Sequence, residues 1–114
     1  MVFYINSLNL EGNFLASVNI LKQEVSDNKL EKLAKCLSEK DVKLYGASWD
    51  GHTQNQKEVF KDAVRFLSYV ECANNQCKDS KIRAFPTWIF PNNKVVIGEI
   101  SIQKISELSG CGIR

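Results

Sequence analysis

Imidazole is nearly missing from this chain: His52 is the one histidine in 114 residues, beside one methionine and two prolines. Zinc sites draw three or four ligands from suitably spaced Cys, His or acidic residues. Cys72 and Cys77 offer two, and no nearby histidine or second close cysteine pair completes a set, so no metal and no cofactor are expected. Long apolar runs are missing too. The longest near the N-terminus is Val2 to Ile5, against roughly 20 residues for a membrane-spanning helix. No basic stretch leads into an apolar one as in a secretory signal. The chain therefore reads as soluble, without direct membrane insertion, in a compartment the sequence leaves open. An excess of one charge sign is also lacking. The 15 basic and 13 acidic residues leave a net charge of +2, and Lys22, Lys29, Lys32, Lys35, Lys40 and Lys43 are scattered among acids. That is a solvated surface, not the basic stripe of a nucleic-acid binder. Four cysteines are too few to define a disulfide scaffold at this size.

What is present suits one soluble domain with a real core: 44% hydrophobic and 25% charged residues. Residues 1–26 read as an N-terminal extension and residues 27–114 as the domain proper. In the extension, Leu8 and Leu10, then Ala16, Val18 and Ile20, alternate with polar residues around a turn at Glu11-Gly12-Asn13. This favours a β-hairpin. Phe14, Val18, Leu21 and Val25 also fit one helix face, and that alternative stands.

From residue 28 the pattern is cleaner. Leu30, Leu33, Ala34 and Leu37 place a helix over about 28–40, with Ser26 or Asp27 as its cap. Cys36 beside that stripe reads as a small core or boundary residue. A strand over 42–47 leads into a strand-to-helix turn at 50–53. A helix over about 54–67 follows, with Val59, Phe60, Ala63, Val64 and Leu67 on one face. Residues 69–72 form a short strand, 73–76 a polar loop, and 78–82 a helical turn. Two strands, 87–90 and 94–98, are joined by Pro91-Asn92-Asn93, where Asn tolerates positive φ. Ile102, Ile105 and Leu108 mark a last helix that starts near Ser101 and stops at Gly110. The order implies an α/β fold, a central mixed sheet with helices on both faces.

Several tracts match one pattern in order: Lys43-Leu44-Tyr45-Gly46-Ala47-Ser48-Trp49, Gln54 to Phe60, Tyr69-Val70-Glu71-Cys72, Phe85-Pro86-Thr87-Trp88 and Glu107-Leu108-Ser109-Gly110. Across about residues 28–112 the chain resembles the thioredoxin-like domain associated with vitamin K epoxide reductase homologues. That resemblance implies a thiol–disulfide oxidoreductase fold. Its Trp-Cys-Pro-His-Cys motif places a thiolate at a helix N-terminus, where the dipole and free N–H groups stabilise it. Here Asp50 stands for the attacking cysteine, Gly51 for the proline and Thr53 for the resolving cysteine, and only His52 matches. A carboxylate and a hydroxyl cannot exchange disulfides, so ordinary chemistry at this site is excluded. Asp50 still answers the helix dipole, and Thr53 with Gln56 has the spacing of a capping box.

The resemblance also implies that Pro86 is cis and offers backbone groups to an extended peptide. Trp49, Asp50, His52, Phe85, Pro86 and Thr87 are therefore the candidate binding residues, for a protein or peptide partner. Cys72 and Cys77 fall at the places of the family's second cysteine pair. A turn at Asn74-Asn75 would bring them within bridging distance, and a local disulfide is expected. Cys111 reads as a free thiol. Three functions follow as expectations. The first is a domain, redox-inactive at the usual site, that holds an extended polypeptide or partner. The second is an oxidoreductase or isomerase working through Cys72 and Cys77. The third is an inhibitory homologue that occupies a thioredoxin partner without turnover. Oligomeric state is not legible.

Overall fold

A computed structural model describes residues 25–74, 77 and 82–113. The N-terminal extension, with its hairpin or helix, and the helical turn at 78–82, apart from Ile82, lie outside the described residues.

Helix α1, Asp27–Glu39, starts where Ser26 Oγ accepts a hydrogen bond from the Lys29 N–H at 3.3 Å. It buries Leu30, Leu33, Ala34 and Leu37. The chain turns at Asp41, whose φ is +62°, into strand β1, Lys43–Gly46. Helix α2, Gly51–Glu58, follows. The single helix expected to about residue 67 is interrupted there. Lys61 takes a left-handed φ of +52°, and residues Lys61–Phe66 wind as a 3-10 helix. The physical reason is packing: three residues per turn align Phe60, Ala63 and Phe66 toward α1, and Phe60 and Ala63 are buried. Val59, expected on the buried face, is left exposed.

Strand β2, Ser68–Glu71, then pairs parallel to β1. Strand β3, Thr87–Phe90, pairs antiparallel to β1, and β4, Lys94–Ile97, antiparallel to β3. The sheet order is β2-β1-β3-β4. The β3–β4 turn carries positive φ at both Asn92 and Asn93, as the asparagines there imply. Helix α3, Ile102–Ser109, is capped by Ser101 and ends in left-handed Gly110.

Register puts Tyr69, Leu44, Trp88 and Val96 side by side on one sheet face. Leu44, Trp88 and Phe90 there join the buried residues of α1, the 3-10 segment and α3 in one core. Of the two helix layers expected, the described residues supply the one on this face. The result is a mixed α/β, thioredoxin-like fold in which β1 aims its C-terminal end, and the start of α2, at one edge of the molecule.

Candidate functional site

The β1–α2 junction is built around Thr53. Asp50 is the N-cap of α2, and its Oδ2 accepts from both the Thr53 N–H and the Thr53 hydroxyl, each at 2.8 Å. Thr53 Oγ1 in turn accepts from the Ala47 N–H at 3.3 Å. Thr53 is buried, and its methyl leaves no room for a Cβ on Gly46. Glycine at 46 is therefore what lets the strand end pack on the helix start. Gly51 meets no such neighbour.

The capping box read from Thr53 and Gln56 is not formed. Asp50 caps instead, one turn earlier, because its carboxylate reaches the N–H of a helix that begins at Gly51. Gln56 points inward. Its Oε1 accepts from Trp88 Nε1 at 3.1 Å and from the Ile100 N–H at 2.8 Å, and its Nε2 donates to the Ile100 carbonyl at 3.1 Å. A buried amide with three partners ties α2 to β3 and to the segment before α3.

Of the residues expected to bind a partner, Trp49 and His52 are exposed, Asp50 and Phe85 half-buried, and Pro86 and Thr87 buried. Trp49 is 70% exposed and meets Phe85 edge-on, ring centroids 5.8 Å apart at 81°. This contact joins the Asp50 loop to the Phe85–Pro86 loop. The Phe85–Pro86 peptide is cis. The Pro86 carbonyl is occupied by the Gly98 N–H at 2.8 Å, and Thr87 Oγ1 donates to the Ala84 carbonyl at 2.7 Å.

His52 lies on the outer side of α2, with Nδ1 2.6 Å from Glu99 Oε2. Asn55 Nδ2 donates to the same oxygen at 3.3 Å. The hydrogen bond to Glu99, then its charge, raises the His52 pKa above the ordinary histidine value. The same bond, with Asn55, lowers that of Glu99.

Cys72 and Cys77 lie close by, just past the end of the edge strand β2. Cys72 and Cys77 form a disulfide with Cα atoms 5.2 Å apart. The Cys72 N–H donates to the Gly46 carbonyl at 2.7 Å, so the bond sits beside the end of β1 and the helix start. It is well covered, Cys72 5% and Cys77 9% exposed. Glu71 stands between the loops. Its Oε2 accepts from the Ser48 N–H at 2.7 Å and the Ala73 N–H at 3.1 Å, while Oε1 accepts from the Tyr69 hydroxyl at 2.8 Å. Burial pushes its pKa up, but the Tyr69 hydroxyl, the two N–H groups and the Lys57 charge outweigh this and hold it below the ordinary value. Burial first, then the bond to Glu71, raises the Tyr69 phenol. Lys57 Nζ lies 4.2 Å from the centre of the Tyr69 ring.

Cys111 is not a free thiol, and Cys36 is more than a small boundary residue. The two form a second disulfide, Cα atoms 6.0 Å apart across 75 residues, and no cysteine is left free. Cys36, half-buried within α1 beside its apolar stripe, carries no local sign of a partner, while the return of the tail past α3 brings Cys111 beside it. Glu71, Glu99 and Gln56 were likewise missed as site residues. Each acts through a partner more than twenty residues away or across the sheet, for which the sequence has no local signal. Among the described residues, no group of three or more His, Cys, Asp or Glu side chains is placed to hold a metal ion. No described helix is long and apolar enough to cross a membrane.

No protein-family model matches the chain. It is 40% identical over 89 residues to a thiol-disulfide oxidoreductase, LTO1, of Arabidopsis thaliana. That alignment covers 68% of this chain and 23% of the relative, so the chain spans about a quarter of that protein's length.

Proposed function

We propose that this domain is a thiol–disulfide exchange module whose exchangeable bond is Cys72–Cys77. The observation that carries the reading is the placement of that disulfide. It lies against the β1–α2 junction through the Cys72 N–H and the Gly46 carbonyl, at a junction whose Asp50 and Thr53 hold no sulfur. Similarity to a protein named a thiol-disulfide oxidoreductase supports it. In the exchange a substrate thiolate attacks one sulfur of Cys72–Cys77. A mixed disulfide forms, and the other cysteine leaves as a thiolate and takes a proton. A second substrate thiol, losing its own proton, then displaces the bound cysteine. The substrate dithiol ends as a disulfide and Cys72 and Cys77 as thiols. Reoxidation requires a further protein disulfide or a small-molecule disulfide.

In this reading Trp49, Asp50, His52 and Phe85 form the docking rim for an extended polypeptide, with Phe85 and Trp49 as its apolar anchor, and the buried Pro86 and Thr87 shape the loop beneath it. The vitamin K epoxide reductase-associated type belongs to this proposal too. Two disulfides and no free cysteine favour an oxidising compartment.

A second reading, a binding domain without turnover, is favoured by the cover over the Cys72–Cys77 bond and by the sealed Asp50–Thr53 pair. Two variants separate them. Wild-type protein should catalyse reduction of insulin by dithiothreitol, and Cys72→Ser should abolish it. Equal rates with and without Cys72 would overturn exchange. If instead only Pro86→Ala matters, by weakening capture of a reduced, carboxymethylated polypeptide, the binding reading prevails.

A further inference from the structure

One carboxylate holds two loops that the proposed exchange would use together. Glu71 Oε2 accepts from the Ser48 N–H, adjacent to Trp49, at 2.7 Å, and from the Ala73 N–H, adjacent to Cys72, at 3.1 Å. Its other oxygen is fixed by the Tyr69 hydroxyl at 2.8 Å. The Tyr69 ring in turn lies under Lys57 of α2. A carboxylate suits this post because both oxygens only accept, so three donors converge without conflict. A glutamine in the same place keeps all three, its one oxygen taking both N–H groups and its NH2 donating to the phenol oxygen, whereas a methionine of similar length has no such acceptor and loses them.

From this juxtaposition we propose that Glu71 is a positioning residue that couples the state of the Cys72–Cys77 bond to the pose of the Trp49–Phe85 rim. Opening the disulfide releases Cys72 from its tie to Cys77 and moves the adjacent Ala73 N–H. The carboxylate then re-aims, and the Ser48 N–H that fixes the Trp49 turn goes with it. Docking and exchange are thereby linked: the rim holds one pose over the closed bond and another over the open dithiol. This rests on the exchange reading for its biological sense, but the coupling itself is testable without turnover.

Trp49 is exposed and Trp88 fully buried, so acrylamide quenching of tryptophan fluorescence reads Trp49. The comparison is between the oxidised wild-type chain and the Cys72→Ser/Cys77→Ser variant, in which the bond is absent. The quenching constant should shift between these two proteins. In a Glu71→Met background, and in Glu71→Ala, the same pair should show no shift. A residue that merely stabilises the fold would lower the melting temperature in both backgrounds and leave the shift in place. Equal quenching in the two Glu71-containing proteins, or a shift that persists in the Met background, would overturn the coupling. Should Glu71→Ala not fold, the similarly sized Met variant decides alone. Failure of insulin reduction by the wild type would sink exchange while leaving this comparison intact.

Discussion

His52 is the residue whose chemistry is most directly set by a partner the sequence does not announce. Its ring nitrogen sits 2.6 Å from Glu99, which raises its pKa above 6.5 and lowers that of Glu99 below 4.5. For the histidine, a raised folded value means a contribution to stability fully present below 6.5 and lost as pH rises through the folded pKa. For the carboxylate the contribution is present above its unfolded value and lost as pH falls through the folded one. The pair therefore acts between those limits. NMR titration of His52 should give a pKa above 6.5, falling toward 6.5 in Glu99→Gln. An unchanged titration in the variant would contradict the pairing. At this scale Asp50 was legible as a residue answering the helix dipole, because that depends only on its place before α2. The inward turn of Gln56 was not, since Trp88 and Ile100 reach it from across the fold.

At the scale of elements, helices α1 and α3 and the β3–β4 turn were readable because their signals are local: apolar spacing, a serine cap, a left-handed Gly110 or asparagine. Helix α2 was only half readable. Its composition continues in helical register past Glu58, but burial of Phe60 and Ala63 against α1 bends the chain at Lys61. The same helix supplies a test of the site's geometry. Asp50 Oδ2 and Thr53 Oγ1 meet at 2.8 Å, so the variant Asp50→Cys/Thr53→Cys should close an internal disulfide in air. It should also gain exchange activity that survives Cys72→Ser. A folded variant whose two new thiols stay reduced would show that these positions are not the counterpart of the cysteine pair.

For the molecule as a whole, the two disulfides differ in what they close. On the chain-entropy account a bridge across 75 residues stabilises by about 4.5 kcal/mol and one across 5 residues by about 2 kcal/mol. Chemical denaturation should therefore show Cys36→Ala/Cys111→Ala losing more stability than Cys72→Ser/Cys77→Ser. The reverse order would contradict the assignment of Cys36–Cys111 as the structural tie and Cys72–Cys77 as the exchangeable bond. Pairing of Cys36 with Cys111 was invisible from spacing, because it follows from α3 and its tail returning over α1. The measurement that tests the central claim most directly is stoichiometric. Oxidised protein is mixed with a reduced dithiol peptide, the thiols are trapped by alkylation, and the cysteines are mapped by mass. The account predicts peptide disulfide appearing one-for-one with free Cys72 and Cys77 while Cys36–Cys111 stays closed. Peptide that remains reduced, or new thiols at Cys36 and Cys111 instead, would contradict it.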